Sequence, residues 1–164
     1  MFFHLKLFSL NEIDPAHKGQ FGGKAVGLAR LCRNGFQTPK GYVLTCDALW
    51  TFLGNANITA SSDRVYTILN AEFPRDMEHL ILKACKSLGP VLAVRSSGVN
   101  EDGEHSFAGQ YQTILNVKTH ACLFMAIRKC WASYYSVQAV EYREQFNLSD
   151  DGIAVIIQTM LNPM

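Results

Sequence analysis

The sequence predicts an α+β fold, with helices packed on a mostly antiparallel sheet. Three observations predict it. Apolar runs of strand length stand at Tyr42–Thr45, Val91–Val94 and Ile153–Leu161. Apolar residues at helical spacing fill stretches between those runs, as at Met77, Leu80, Ile81, Ala84 and Leu88. The two kinds of element are mixed without the strict β-α-β alternation of a parallel sheet.

Taken in order, the start of the chain to Leu10 is apolar and alternating, and it reads as a short strand; no charged region precedes it to make it a leader. Gly19–Lys24 is a glycine-punctuated loop that opens a helix, with Val26, Leu28, Ala29, Leu31 and Cys32 on its apolar face. Asn34-Gly35 ends that helix, with Gly35 in the left-handed position. Pro39–Gly41 reads as a turn before the strand at Tyr42, and Thr45 or Asp47 can cap a helix through Leu53. Ser61–Asp63 caps a helix to about Phe73, and Pro74–Asp76 starts another that stops at Gly89-Pro90. Val91–Val94 is a strand, Arg95–Gln110 a polar loop, and Tyr111–Val117 the next strand. His120–Phe146 is one long helix or two broken near Ser136. Ser149–Gly152 is a turn before the last strand.

The 164 residues are 48% hydrophobic and 18% charged, the balance of an ordinary folded domain and not of a disordered one. Fifteen basic against fourteen acidic residues give a net charge of +1, which excludes a strongly basic nucleic-acid footprint. No apolar run approaches the ~20 residues that cross a bilayer, so neither nucleic acid nor membrane is expected as a partner. Five cysteines (Cys32, Cys46, Cys85, Cys122, Cys130) in scattered apolar contexts, without a C-x-x-C pair, read as reduced thiols of a cytoplasmic protein.

Four places can carry chemistry. Gly22-Gly23-Lys24 is not a Walker A loop, because Lys18 stands in place of its first glycine and Ala25 follows the lysine. It is either a backbone anion site beside a cation or a glycine turn beside a solvated lysine. At Val94–Gly98 a buried strand ends in Arg95 and two hydroxyls; Arg95 either meets phosphate oxygens or pairs with Glu101 or Asp102. The loop Asn100–Gln110, bracketed by Gly103 and Gly109, suits a polyphosphate, and its His105 is either a solvated or a catalytic imidazole. The other histidines, His4, His17, His79 and His120, lack metal-ligand spacing. Gln158, inside the last apolar strand, either bonds a neighbour or reads the edge of a base.

Together Gly22–Leu28, Pro39–Thr45, Val94–Ser97 with Glu101-Asp102, Ser106–Gln110, Lys129–Ser133 and Val155–Gln158 form an ordered set. That set resembles the N-terminal nucleotide-binding domain of the phosphoenolpyruvate synthase and pyruvate, phosphate dikinase family, a domain that rifampin phosphotransferase shares. The resemblance spans almost the whole chain. Departures are a loop before Ser106 that is about one residue short, and Gly98, Asn100 and Gly103 where alanine, alanine and leucine are common.

The resemblance implies that residues 1–164 are the first part of an ATP-grasp fold, a piece of a larger protein. Lys24 and Arg95 would contact ATP phosphates, Gly109 and Thr113 would belong to the loop and strand covering the nucleotide, and Gln158 would lie beside the adenine. Mg²⁺ would be held by residues beyond 164, as would the phosphohistidine and acceptor-binding domains. The implied activity of the intact protein is a dikinase-type phosphotransfer from ATP, with pyruvate as the expected acceptor. A rifampin-type or other acceptor, or a non-catalytic nucleotide-binding module, is the alternative. The 164 residues alone are expected to be inactive, and no residue here is assigned to catalysis.

Overall fold

A computed structural model of the chain describes residues 7–57, 63–100 and 111–161. Among these, five strands make one sheet in the order β1-β2-β5-β3-β4. They are β1 (Leu7–Ser9), β2 (Gly41–Leu44), β3 (Leu92–Gly98), β4 (Thr113–Val117) and β5 (Ile153–Thr159). Every pairing is antiparallel, so the α+β class expected from the sequence is the one observed. β5 lies at the centre, and its residues Ile153–Gln158 are buried in succession, as a strand covered on both faces requires.

Each face carries its own core. On one, helix α1 (Lys18–Arg33) and the 3-10 turn Leu10–Glu12 cover Val43, Ala154 and Ile156. On the other, Leu44, Leu92, Val94, Val155 and Ile157 meet α2 (Cys46–Asn55), α4 (Arg75–Cys85) and α5 (His120–Ser133). α3 (Arg64–Asn70) packs on α5, and Phe52, Phe73, Phe124 and the fully buried Trp131 form an aromatic centre there. α6 (Val137–Gln145) follows α5 after a break at Ser136, whose hydroxyl accepts from Ala139 N at 3.3 Å. The expected break is therefore where a serine can cap the second helix.

Other expectations hold with adjusted limits. Gly35 does adopt the left-handed conformation (φ +80°) after α1. Asp63 caps α3 by accepting from Tyr66 N at 3.1 Å, but that helix ends at Asn70, three residues before Phe73. Gly41 is the first strand residue of β2, not part of a turn. Two differences bear on function. Lys18–Phe21 is already helical, and the expected glycine loop shrinks to a break at Gly22. β3 continues through Arg95, Ser96 and Ser97 to Gly98, where the sequence reads as loop.

Candidate functional site

Pleating decides which side chains share a face. Across an antiparallel pair, directly opposed residues point the same way, and the sense alternates along each strand. Val43 and Ile156 are opposed to one another and belong to the α1-side core. Arg95 lies opposite Ile156 and opposite Thr113; Gln158 lies opposite Gly41 and Ala93; Ser97 lies opposite Ala154. Arg95, Thr113, Gln158 and Ser97 therefore all belong to the face that carries α1. Arg95 and Gln158 are diagonal neighbours on β3 and β5.

Helix α1 is locked onto this face at its break. Gly22 has φ +75° and ψ +168°, and a Cβ there would sit 2.1 Å from the carbonyl oxygen of Ser97. Only glycine fits that approach. The helix restarts after Gly22, and Ala25 N donates to Ser97 Oγ at 3.1 Å. A strand hydroxyl thus does the work of an N-cap for the second part of α1.

Lys24 stands in the first turn of that restarted helix. Its Nζ donates to the carbonyl of Ser96 at 3.5 Å, beside Arg95. The reason lies in the ladder. Ser96 N donates to Gln112 O at 3.0 Å, but β4 begins only at Thr113, and the ammonium takes the Ser96 carbonyl. The Lys24 charge also acts on Cys130 across the sheet, where burial wins and pushes the thiol up to about 12. Lys24 therefore reaches the main chain of the residue that follows Arg95.

Two polar atoms on the α1 face are conspicuous. Arg95 Nε and Gln158 Oε1 are both buried without a hydrogen-bond partner among the described residues. A buried unpaired donor or acceptor costs about 1–3 kcal/mol. Two of them on adjacent central strands constitute a donor and an acceptor awaiting partners. Thr113 is exposed at the rim, at the end of the β3–β4 pairing. Gly109 lies outside the described residues, as do Glu101, Asp102 and His105.

The sequence left one participant without a role. Ser97 positions α1, and its signal was the second hydroxyl of Val94–Ser97, legible only once Gly22 is known to press on it. For a metal, no group of three or more His, Cys, Asp or Glu able to hold an ion exists among the described residues. Nor, among those residues, is any helix long and apolar enough to cross a membrane.

Comparison with known proteins shows the family. The family model for the pyruvate phosphate dikinase AMP/ATP-binding domain matches residues 18–164. The chain is 36% identical to the prodigiosin synthesizing transferase PigC of Serratia marcescens, over 87% of this chain and 17% of that protein. It is 33% identical to a probable phosphoenolpyruvate synthase of Methanothermobacter thermautotrophicus (92% of this chain, 26% of that protein). A rifampicin phosphotransferase of Streptomyces sviceus is 31% identical over 96% of this chain and 21% of its own length. The chain thus spans between 17% and 26% of the length of these three relatives. It belongs to the pyruvate phosphate dikinase AMP/ATP-binding domain family, the nucleotide-binding part of a group of phosphotransferases.

Proposed function

We propose that the α1 face of the sheet binds ATP, with Lys24 and Arg95 on the phosphates, Thr113 at the rim of the nucleotide, and Gln158 beside the adenine. Gly109, outside the described residues, would contribute from the stretch before β4. The single observation that carries this reading is the pair of buried, unpartnered atoms, Arg95 Nε and Gln158 Oε1, on one sheet face. An arginine offers its planar donors to phosphate oxygens, and an amide oxygen accepts from an exocyclic amine. The restarted α1 would add the Lys24 charge and backbone donors other than Ala25 N, which Ser97 already takes.

In the intact protein, of which residues 1–164 would be the N-terminal part of the ATP-binding domain, ATP would be cleaved to AMP. One phosphoryl group would pass by way of a histidine in another domain to pyruvate, giving phosphoenolpyruvate. The other would go to water, giving phosphate. Phosphoryl transfer asks the protein for positioning and charge neutralisation, and Lys24 and Arg95 supply both. Mg²⁺ would neutralise phosphate charge when bound. Its protein ligands would lie beyond residue 164. A cytoplasmic location is consistent with five free cysteines.

The acceptor is set elsewhere in such a protein, and one relative is named for rifampicin. A rifampicin-like acceptor is therefore the second reading. The test is Arg95→Ala in the intact protein, with ATP consumption and products followed in the presence of pyruvate or rifampicin. Loss of ATP-dependent turnover supports the site; near-normal turnover overturns it. Phosphoenolpyruvate formed from pyruvate supports the first acceptor, and a phosphorylated drug the second.

A further inference from the structure

On the opposite side of the molecule, a cleft of about 630 Å³ opens between the C-terminal half of α4 and the corner where β4 passes into α5. We propose that this cleft is a second anion site, separate from the α1 face, and that it takes a small organic phosphate. His79, Lys83 and Lys86 stand at spacings of four and three along α4 and its C-cap, so they form one wall. Lys118 and His120 line the facing wall. Leu82, Leu92, Val117 and Leu123 give the cleft an apolar lining.

No aspartate or glutamate lines the cleft. Among the described residues, Lys83, Lys86 and Lys118 make no ion pair or hydrogen bond. Lysines in the last turn of α4 complement that helix's own dipole, which accounts for Lys83. It does not account for Lys118 and His120, which come from a different element. His79, Lys83, Lys86, Lys118 and His120 are all exposed, so solvent screens their mutual repulsion, and an anion seated among them would add a direct counter-charge. The N-terminus of the 14-residue α5 lies in the same wall, at Thr119 and His120, and adds its positive end.

The ligand class follows from the lining. Three lysines line the cleft, and their combined charge matches the nearly two negative charges of a phosphate monoester better than the single charge of a carboxylate. The apolar residues ask for a carbon skeleton attached to that phosphate. The volume falls in the range of small-molecule sites, about 300–1,000 Å³. Leu92 and Val117 belong to the core on the side away from α1, so an occupant would sit across the sheet from Lys24 and Arg95.

The experiment titrates the 164-residue chain with phenyl phosphate and with inorganic phosphate, following backbone amide chemical shifts. Expected are saturable shifts at His120–Leu123 with both probes, tighter for phenyl phosphate. The paired substitution Lys86→Glu/Lys118→Glu should weaken binding by more than about tenfold, and Arg95→Ala should leave it unchanged. If the reversal variant does not fold, Lys86→Gln/Lys118→Gln should show the same loss with smaller amplitude. Absence of saturable shifts at His120–Leu123, equal affinity for the two probes, or affinity indifferent to the lysine changes would overturn the proposal. Loss of these shifts in Arg95→Ala would do the same, by assigning the phosphate to the α1 face. A failure here leaves the ATP reading untouched, and a failure of that reading leaves this cleft intact.

Discussion

Ser97 Oγ accepts a hydrogen bond from the backbone of Ala25, 72 residues earlier in the chain, and Gly22 rests against the Ser97 carbonyl beside it. One strand residue thereby fixes both the break in α1 and the restart that presents Lys24. The contact couples the two sequence segments whose cations are proposed to grip the nucleotide. Its geometry is specific enough to be broken one atom at a time.

Gly22→Ala should be the most damaging small change in this region. The residue holds φ +75° with ψ +168°, and the added methyl would meet backbone at 2.1 Å, which cannot yield as a flexible side chain would. Stability should fall by at least about 2 kcal/mol. Gly27→Ala is the control: it lies in the same helix, exposed, with nothing near its Cβ position, and should stabilise by about 0.5–1 kcal/mol. Urea unfolding of the two variants gives opposite signs if the break at Gly22 is as described.

Ser97→Ala keeps the strand and removes only the cap. The buried Ala25 N–H then loses its acceptor, and stability should drop by about 1–2 kcal/mol. ATP affinity should fall as well, because the turn carrying Lys24 is no longer anchored. An unfolding midpoint and an ATP titration on the same variant check both; unchanged nucleotide affinity at reduced stability would confine Ser97 to a structural role.

Gln158→Leu separates stability from function in the other direction. It removes a buried oxygen that has no partner among the described residues, in a strand otherwise built of Ile, Ala and Val up to its last residue, Thr159. Removing an unsatisfied acceptor should leave stability unchanged or raise it by about 1 kcal/mol. Nucleotide affinity should fall about tenfold if that oxygen accepts from adenine. A stabilised variant with undiminished ATP binding would remove Gln158 from the site.

Much of this arrangement was legible in the sequence because apolar runs report burial. The apolar runs read at Tyr42–Thr45 and Ile153–Leu161 become the strands Gly41–Leu44 and Ile153–Thr159 for the reason they look like strands, and Asp63 and Ser136 cap helices because short oxygen-bearing side chains do so locally. The misreading of Arg95–Gly98 as loop has a tertiary cause. Its polar residues end the apolar run, yet β5 pairs with it through Gly98, Ser96 Oγ donates to Gln112 O at 3.0 Å, and Ser97 Oγ is used by α1. Those partners lie far along the chain and leave no periodic trace. The same holds for Gly22: the glycine cluster signals a break, but the residue that takes it is selected by contact with Ser97.

The thiols offer a prediction that combines burial with pH. Desolvation by burial pushes Cys46 and Cys130 up from 9.0 to about 12 and Cys85 from 9.0 to about 11, and burial likewise pushes Tyr135 from 10.0 to about 12. In the unfolded chain these groups ionise near their ordinary values, while the folded protein keeps them protonated. The unfolded state thus binds fewer protons once the pH exceeds about 9, and their contribution to stability, fully present below that pH, is lost as it rises toward 12. Unfolding midpoints should be flat with respect to these groups up to pH 9 and decline steadily above it. Thiol labelling at pH 8 supplies the independent check. Cys122 is exposed and should react in a fast phase that Cys122→Ser abolishes, whereas Cys46, Cys85 and Cys130 should react only at the rate of opening of the core. Rapid labelling of Cys130 in the folded chain would contradict its buried place on α5 beneath β3 and β4.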